Sequence, residues 1–272
     1  MSVISCIGSG NMGFALMKGA VKGADIYFTD ADSEKAKTAA ASIGAKVLNS
    51  NTEAVEKGDF VFLAVKPQVL AQVLAEIAPA VKKRQTAPVF VSMAAGWSIE
   101  KIQKAIGEKP QGSKLPVVRI MPNTPALIGR GMIALSASPE VPSEKIAELE
   151  KILGCAGIVD RIEERFMDAV TGLSGSGPAF VYLFIEALAD GGVRAGLSAD
   201  KALRYAAQTV TGAAAMVQET EKHPSELKNM VTSPGGTTIA GLTVLEDRAF
   251  RDTVIKAVEA AWKRSEELGN KN

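Results

Sequence analysis

A short apolar run at the start of the chain leads straight into a glycine-rich turn, and the two together are Val3-Ile4-Ser5-Cys6-Ile7-Gly8-Ser9-Gly10-Asn11-Met12-Gly13. The last six of these residues have the pattern G-x-G-x-x-G. In dinucleotide-binding folds the first glycine of this pattern permits a tight turn, the second lets a pyrophosphate approach the backbone, and the third lets a helix pack closely on the strand. The competing interpretation is a glycine-rich turn without a ligand. The strand before the turn and the helix-like segment after it favour dinucleotide binding.

Strand-like and helix-like segments alternate over the first 160 residues. The predicted strands are Val3–Ile7, Asp25–Thr29, Lys46–Leu48, Phe60–Val65, Val89–Met93, Val117–Met121 and Ile133–Ser136. The predicted helices include Met12–Val21, Ser33–Ser42 and Pro67–Ala78. Such alternation is typical of a mostly parallel sheet covered by helices on both faces. We therefore predict an α/β fold in which residues 1–160 form a Rossmann-type doubly wound, mostly parallel sheet.

Residues 161–272 have a different pattern, with long alanine-rich segments and no strand-like run from Glu163 onward. Three helices are predicted around residues 178–188, 198–217 and 250–262, with Pro178 in the first turn of the first helix and Ser198 as the cap of the second. We predict an all-helical domain here. Small residues occur on several helix faces, as at Ala213–Ala215. Either the helices pack tightly within one chain or a second copy covers part of this surface as a two-fold dimer, and we favour the dimer.

Composition excludes several classes of protein. The 31 Lys and Arg residues nearly balance the 30 Asp and Glu residues, and only 5% of residues are aromatic, so a nucleic-acid partner is not expected. Two cysteines, Cys6 and Cys155, and a single histidine, His223, leave neither a disulfide framework nor a histidine-based metal site. The apolar run Phe60–Val65 is far shorter than the roughly 20 residues of a membrane span. We predict a soluble, cytoplasmic protein without a metal or a membrane partner.

The end of the second predicted strand bears on the choice of cofactor. A carboxylate at this position, here Asp30, accepts hydrogen bonds from the ribose hydroxyls of NAD and repels the 2′-phosphate of NADP. Asp30 and Asp32 therefore favour NADH, whereas Lys35 and Lys37 are close enough in sequence to reach a phosphate. A polar turn that caps a helix explains the two aspartates equally well. The sequence leaves NADPH and NADH open as cofactors.

Polar and small residues also follow other strands, where ligands bind in such sheets. Lys66 either contacts the cofactor or substrate or is simply solvated, and Asn123 is a candidate partner for the nicotinamide carboxamide. In the helical half, the glycine-rich segments 171–178 and 233–238 can each form an anion-binding turn of successive N–H groups. A helix-capping loop is the competing explanation for both segments.

Together these motifs resemble the pyrroline-5-carboxylate reductase family, which catalyses the last step of proline biosynthesis. The resemblance extends over nearly the whole chain and is most specific in Thr171-Gly172-Leu173-Ser174-Gly175-Ser176-Gly177-Pro178-Ala179 and in Ser233-Pro234-Gly235-Gly236-Thr237-Thr238-Ile239. It also includes Phe62–Pro67, Ala94–Gly96, Asn123–Pro125, Ala189–Val193 and His223-Pro224.

The resemblance implies that L-1-pyrroline-5-carboxylate is reduced to L-proline with NADPH or NADH, in a homodimer or a larger ring of dimers. The implied substrate residues are Glu164, Ser233, Gly236, Thr237 and Thr238, with Thr238 as the catalytic residue near the ring nitrogen. With the motifs above, the predicted cofactor residues are Ile7, Gly8, Ser9, Gly10, Asn11, Met12, Gly13, Asp30, Asn51, Ala64, Val65, Lys66, Pro67, Met93, Ala94, Ala95 and Asn123. One departure is Met230, where relatives often have an asparagine; Asn229 is adjacent but lies about 100° further round a helix.

Three other functions compete with this one. A hydroxyacid dehydrogenase has a similar domain order but needs a lysine where this chain has Ser174 and Ser176. A nucleotide sensor would bind the cofactor without reducing an imine. A serine hydrolase would have to use His223 as its base, and this sequence contains no G-x-S-x-G motif to supply the nucleophile.

Overall fold

In a computed structural model of the chain, which describes residues 2–21, 23–107 and 112–271, eight strands form one sheet. They are β1 Ser2–Ile7, β2 Ala24–Thr29, β3 Lys46–Val47, β4 Phe60–Leu63, β5 Val89–Ser92, β6 Val117–Met121, β7 Gly131–Ala137 and β8 Gly157–Arg161. Their spatial order is β3-β2-β1-β4-β5-β6-β7-β8, and all neighbours are parallel except β6 and β7. The predicted fold class, a Rossmann-type mostly parallel sheet, is confirmed.

Helices cover both faces of this sheet. They are α1 Asn11–Ala20, α2 Ser33–Ile43, α3 Asn51–Lys57, α4 Pro67–Lys83, α5 Ile99–Ile106 and α6 Ser143–Leu153. One hydrophobic cluster joins Phe60 and Phe62 of β4 to α1, α2 and α6. The other joins Val61 and Leu63 of the same strand to α3, α4 and α5. Because both faces of β4 are buried, its sequence is a continuous apolar run.

The strand prediction misses β8 and extends three strands too far. β8 is an edge strand with partly exposed residues, such as Ile158, and it ends in Asp160-Arg161, so no apolar run marks it. The predicted ends at Leu48, Val65 and Met93 lie one or two residues beyond the observed ends of β3, β4 and β5. At the last two positions apolar residues continue past the strand because the turn after each strand is itself partly buried.

The rest of the described chain is helical. A short 3₁₀ turn Glu164–Phe166, helix α7 Met167–Val170 and a π-helical turn Thr171–Gly175 lead into the longer helices. These are α8 Gly177–Arg194, α9 Ala199–Thr220, α10 Pro224–Met230, α11 Thr237–Asp247 and α12 Phe250–Lys271. Contacts divide the chain into two compact units, Met1–Ser176 with Ala260–Asn272, and Gly177–Glu259. The division into domains 1–160 and 161–272 stays a prediction.

The three predicted helices of this half are present as α8, α9 and α12, with Pro178 in the first turn of α8. Ser198 is the N-cap residue of α9, but its side chain makes no capping hydrogen bond in the described part of the chain. Helices α10 and α11 were not predicted. Helix α10 has only seven residues and begins at Pro224, and α11 begins at Thr237, inside the glycine-rich segment 233–238.

The unit Gly177–Glu259 exposes large apolar side chains. Tyr182, Leu183 and Leu203 are 60%, 67% and 54% exposed and line a groove of about 730 Å³ between α8 and α9. In the described part of the chain, one helical stretch, Glu164–Arg194, is long and apolar enough to cross a membrane by length and composition alone. The prediction that the protein has no membrane partner was based on the run Phe60–Val65 and did not consider this stretch. A single stretch of this kind is weak evidence for a membrane span, because core helices of soluble proteins can have the same length and composition.

Candidate cofactor and substrate site

The glycine-rich turn lies where β1, β2 and β4 end together at the carboxyl edge of the sheet. The Gly8 N–H donates to the carbonyl of Thr29 (2.8 Å), and the Ala64 N–H donates to the carbonyl of Ile7 (2.8 Å). Gly8 has φ of +101°, and a Cβ on it would lie 2.6 Å from the Ala64 oxygen. A Cβ on Gly13 would lie 2.6 Å from the Gly8 oxygen. The fold itself therefore requires glycine at both positions.

Gly10 is different, because the fold does not require a glycine there. A Cβ on Gly10 would meet no described atom within 4 Å, and its φ of −67° suits any residue. Gly10 is also the N-cap residue of α1, whose first N–H groups have no partner within the helix. Open space in front of a helix N-terminus is what a pyrophosphate needs. The residues of this turn therefore fit a dinucleotide.

Asp30 follows β2 directly and bonds to the glycine-rich turn. Its Oδ2 accepts the Ser9 N–H at 2.7 Å and the Ser9 hydroxyl at 2.8 Å, and its Oδ1 accepts the Asp32 N–H at 3.1 Å. Partial burial by itself raises the pKa of Asp30, but these hydrogen bonds and the charge of Lys35 together hold the pKa below its ordinary value. Asp32 caps α2 by accepting the N–H groups of Glu34 and Lys35. The helix-cap explanation therefore holds for Asp32, whereas Asp30 stands at the predicted ribose position.

Other predicted cofactor residues lie at the same edge of the sheet. Asn51 begins α3; its Oδ1 accepts the Thr29 hydroxyl at 3.2 Å and its Nδ2 donates to Glu76 at 2.8 Å. Ala64–Pro67 follows β4, with Lys66 exposed at the N-cap of α4. Met93–Ala95 follows β5, the neighbour of β4. The structure thus brings together the ends of β1, β2, β4 and β5.

The side chain of Asn123, after β6, already has partners in the fold. Its Nδ2 lies 3.1 Å from the Ser174 carbonyl oxygen and 3.3 Å from the Ser174 hydroxyl oxygen, and its Oδ1 accepts the Met132 N–H at 2.9 Å. These bonds join β6, β7 and the π-helical turn. A hydrogen bond from Asn123 to the nicotinamide carboxamide stays a prediction. It would have to use an N–H group or an oxygen lone pair of the Asn123 amide that these contacts do not occupy.

A buried charge on β6 was missed in the sequence. Arg119 is only 4% exposed, and its guanidinium forms ion pairs with Glu164 at 3.5 Å and Asp168 at 3.6 Å; within the described residues its Nε and Nη2 make no hydrogen bond. Glu164 also accepts the Ile99 N–H (2.7 Å), and Asp168 accepts the Ser265 hydroxyl (2.7 Å). Glu164, predicted to bind substrate, thus caps α5 and pairs with arginine. The signal available in the sequence was a single charged residue inside an apolar strand.

The predicted substrate segment forms a tight turn into α11. Gly235 has φ of +64°, and the Gly236 N–H donates to the Ser233 carbonyl at 3.1 Å. Gly236 is the N-cap residue, so the N–H groups of Thr237 and Thr238 belong to the first turn of the helix, where they lack intrahelical partners. Such a turn suits a carboxylate. Thr238 is half-buried, and Ser233 and Thr237 are exposed.

Two further residues singled out in the sequence lie in α10 or at its start. Met230 is 63% exposed, and Asn229 beside it is exposed as well. His223 is the N-cap residue, and its Nδ1 accepts the Ser225 N–H at 3.2 Å. This capping role accounts for the histidine without a hydrolase reaction.

Known proteins match the chain over nearly its full length. A family model described as pyrroline-5-carboxylate reductase dimerisation matches residues 164–268, and one described as coenzyme F420-dependent NADP oxidoreductase matches residues 3–96. The pyrroline-5-carboxylate reductase of Glycine max is 43% identical over 96% of this chain and 94% of its own length. The chain belongs to the pyrroline-5-carboxylate reductase family. It is therefore an NAD(P)H-dependent oxidoreductase.

Other members of the family agree in sequence and in fold. The Synechocystis pyrroline-5-carboxylate reductase is 48% identical over 83% of this chain and 81% of its own length. The Coxiella burnetii structure superposes with a TM-score of 0.88 at 33% identity, over 98% of both chains. The Plasmodium falciparum structure, which has NADP bound, gives a TM-score of 0.85 at 32% identity, also over 98% of both chains. The family predicted from the sequence is confirmed.

Proposed function

We propose that this chain reduces L-1-pyrroline-5-carboxylate to L-proline, the last step of proline biosynthesis, with hydride from NADPH or NADH. The observation that carries the proposal is the match with relatives named for this activity, such as the Glycine max protein at 43% identity over 96% of the chain. The glycine-rich turn supports it, because Gly10 leaves open space where a dinucleotide pyrophosphate would lie.

We assign the cofactor to the carboxyl edge of the sheet. The residues assigned are Ile7, Gly8, Ser9, Gly10, Asn11, Met12, Gly13, Asp30, Asn51, Ala64, Val65, Lys66, Pro67, Met93, Ala94, Ala95 and Asn123. When bound, NAD(P)H supplies the hydride that adds to the imine carbon. The protein has to align two rings and hold them together, and such positioning contributes several kcal/mol to catalysis.

The substrate carboxylate is assigned to the turn before α11. In this proposal the Ser233 hydroxyl and the N–H groups of Thr237 and Thr238 donate hydrogen bonds to it, and Gly236, whose N–H donates to the Ser233 carbonyl, shapes the turn around it. The Thr238 hydroxyl hydrogen-bonds the ring nitrogen, and Glu164 completes the substrate site. A neutral threonine hydroxyl is a poor sole source of a proton, so water or an iminium that is already protonated shares this role.

We further propose that the chain works in the cytoplasm as a homodimer, or as a larger ring of dimers, without a membrane partner. The match with a dimerisation family model over residues 164–268 supports the dimer. The exposed apolar groove between α8 and α9 supports it as well, because a second copy would cover that surface.

The experiment is to mix the protein with pyrroline-5-carboxylate and NADPH or NADH, and to follow cofactor oxidation together with proline formation. Stoichiometric proline is the expected result. Thr238→Ala is expected to lower kcat about a hundredfold. The matched control is Thr243→Ala in the same helix, because the Thr243 hydroxyl already donates to the Ile239 carbonyl of its own helix.

Failure would take two different forms. If a wild-type protein that binds a cofactor forms no proline, the assignment of the substrate is wrong. If Thr238→Ala turns over as fast as the wild type and as Thr243→Ala, Thr238 has no part in the mechanism.

A further inference from the structure

The glycine-rich turn and the end of β2 hold a charged group that bears on the choice between the two cofactors. We infer that Asp30, positioned by Ser9, binds the adenosine ribose of the cofactor and makes this chain prefer NADH to NADPH. The inference rests on the proposed function only in requiring that the chain bind a nicotinamide dinucleotide. In this inference Asp30 determines which cofactor is preferred, and Ser9 holds the Asp30 carboxylate in place.

Ser9 fixes the Asp30 carboxylate at the turn. The backbone N–H and the hydroxyl of Ser9 both donate to Oδ2, at 2.7 and 2.8 Å, and Ser9 is only 5% exposed. Neither group of Ser9 is then free to donate to a phosphate on the ribose. A carboxylate held by two donors from one residue has a defined place beside Gly8 and Gly10.

The hydrogen bonds that Asp30 already accepts leave it able to accept one more. A carboxylate has about four lone-pair sites. Two sites on Oδ2 accept from Ser9, and one on Oδ1 accepts the Asp32 N–H at 3.1 Å. A ribose hydroxyl is a donor and fills the remaining site. An ionised 2′-phosphate has no hydrogen to donate to this site. At hydrogen-bonding distance the negative charges of the phosphate and the Asp30 carboxylate repel each other.

The charges around Asp30 give a 2′-phosphate little compensation. Lys37 is paired with Glu34 at 2.7 Å, and Asp32 adds a second carboxylate at the start of α2. Lys35 is the remaining cation in this segment, and its charge already acts on Asp30. Recognition of a 2′-phosphate usually needs an arginine or lysine at this strand end. Here a carboxylate occupies that place.

The test measures binding without turnover. Dissociation constants of NADH and NADPH are measured by fluorescence titration of the protein without substrate, and those of 5′-AMP and adenosine 2′,5′-bisphosphate by calorimetry. The wild type is expected to bind NADH at least about tenfold more tightly than NADPH, with the same order for the two fragments. Wild-type protein that binds NADPH as tightly as NADH, or more tightly, overturns the inference.

Four variants assign the preference to particular residues. Asp30→Asn keeps the shape and removes the charge, and it is expected to bring the two cofactors within about threefold of each other. Ser9→Ala is expected to move the ratio in the same direction by a smaller factor. The matched control is Asp25→Asn, at the other end of β2, which removes the same charge from an exposed site and is expected to leave the ratio unchanged. Lys35→Ala tests the competing cation and is expected to leave NADPH binding weak.

Each outcome has a clear meaning. Equal changes in Asp30→Asn and Asp25→Asn would trace the preference to overall charge and contradict the role of Asp30. An unchanged ratio in Ser9→Ala would contradict the positioning role of Ser9. If a variant does not fold, the wild-type ratio still decides the preference. A wild type that prefers NADH but forms no proline would contradict the proposed function and leave this inference standing.

Discussion

Gly10 and Gly13 show how one residue type serves two purposes in the same turn. A Cβ on Gly13 would lie 2.6 Å from the Gly8 oxygen and 2.9 Å from the Ala64 Cβ, so Gly13→Ala is expected to destabilise the fold by about 1–3 kcal/mol. A Cβ on Gly10 points into open space, so Gly10→Ala is expected to change stability by less than about 0.5 kcal/mol. It should nevertheless weaken cofactor binding.

Urea denaturation and NADH titration of both variants separate the two effects. Gly10→Ala serves as the stability control for Gly13→Ala. Normal cofactor affinity in a folded Gly10→Ala protein would show that no pyrophosphate approaches this position.

The two cysteines differ in burial, and their reactivity should differ accordingly. Cys6 is completely buried in β1; burial, and then the charge of Asp30, raise the pKa of its thiol, so it stays protonated at neutral pH. Cys155 is exposed. Titration with a disulfide reagent is expected to detect one fast-reacting thiol in the native protein and a second only in denaturant. Two fast thiols without denaturant would mean that β1 opens readily.

At the scale of single elements, two serines that both precede helices differ in their capping bonds. The Ser98 hydroxyl accepts the Lys101 N–H at 3.2 Å at the start of α5. Ser198 makes no such bond to α9 in the described part of the chain, although the sequence predicts a cap there. Ser98→Ala should therefore cost about 1 kcal/mol of unfolding free energy. Ser198→Ala, the matched control, should change it by less than about 0.5 kcal/mol. Equal losses in urea denaturation would contradict this difference.

The Arg119 cluster joins elements that are distant in sequence. Arg119 in β6 pairs with Glu164, which caps α5, and with Asp168 in α7. Breaking a buried pair by removing one partner leaves an uncompensated charge, so Arg119→Met is expected to cost about 3 kcal/mol. The exposed pair Glu100–Lys104 in α5 is the control, with a coupling of about 0.5 kcal/mol or less.

Double-mutant cycles measure both couplings. The cycle of Arg119→Met with Asp168→Asn should give a clearly larger coupling than the cycle of Glu100→Gln with Lys104→Met. Equal couplings would mean that the guanidinium does not hold α7 to the sheet.

At the scale of the whole molecule, the exposed apolar surface of α8 and α9 bears on assembly. Leu183 is 67% exposed and lines the groove between these helices. Placing a carboxylate in an interface costs several kcal/mol, so Leu183→Glu is expected to raise the dissociation constant of the dimer at least about a hundredfold. Ile128→Glu is the matched control, because Ile128 is 75% exposed but lies outside the segment that matches the dimerisation model.

Analytical ultracentrifugation over a range of concentrations measures this effect. Dissociation of Leu183→Glu into folded monomers, with Ile128→Glu still dimeric, is the expected result. A wild type that is monomeric at micromolar concentration would contradict the proposed dimer, and a Leu183→Glu protein as tightly dimeric as the wild type would move the interface away from this groove.

Features that depend on neighbouring residues could be predicted from the amino-acid sequence. Three such features are the glycine pattern after β1, the apolar run of β4 and the helical spacing of apolar residues in α8. Each lies within one strand, one turn or one helix, so these local patterns were enough to predict the sheet and the helices. The family was equally accessible, because segments such as 171–179 and 233–239 carry it in contiguous residues. The edge strand β8 escaped because it has no apolar run of its own.

The pairing of polar side chains, in contrast, depends on the folded arrangement of distant elements. Three contacts each join residues more than 20 positions apart. They are the hydrogen bond from Ser9 to Asp30, the ion pairs of Arg119 with Glu164 and Asp168, and the hydrogen bond from the Asn123 amide to Ser174. Nothing local to any of these residues specifies the partner, because the partner is chosen by which strand ends and helix starts the sheet brings together. That choice makes Asp30 a fixed charge beside the glycine-rich turn and Arg119 the link between β6 and α7.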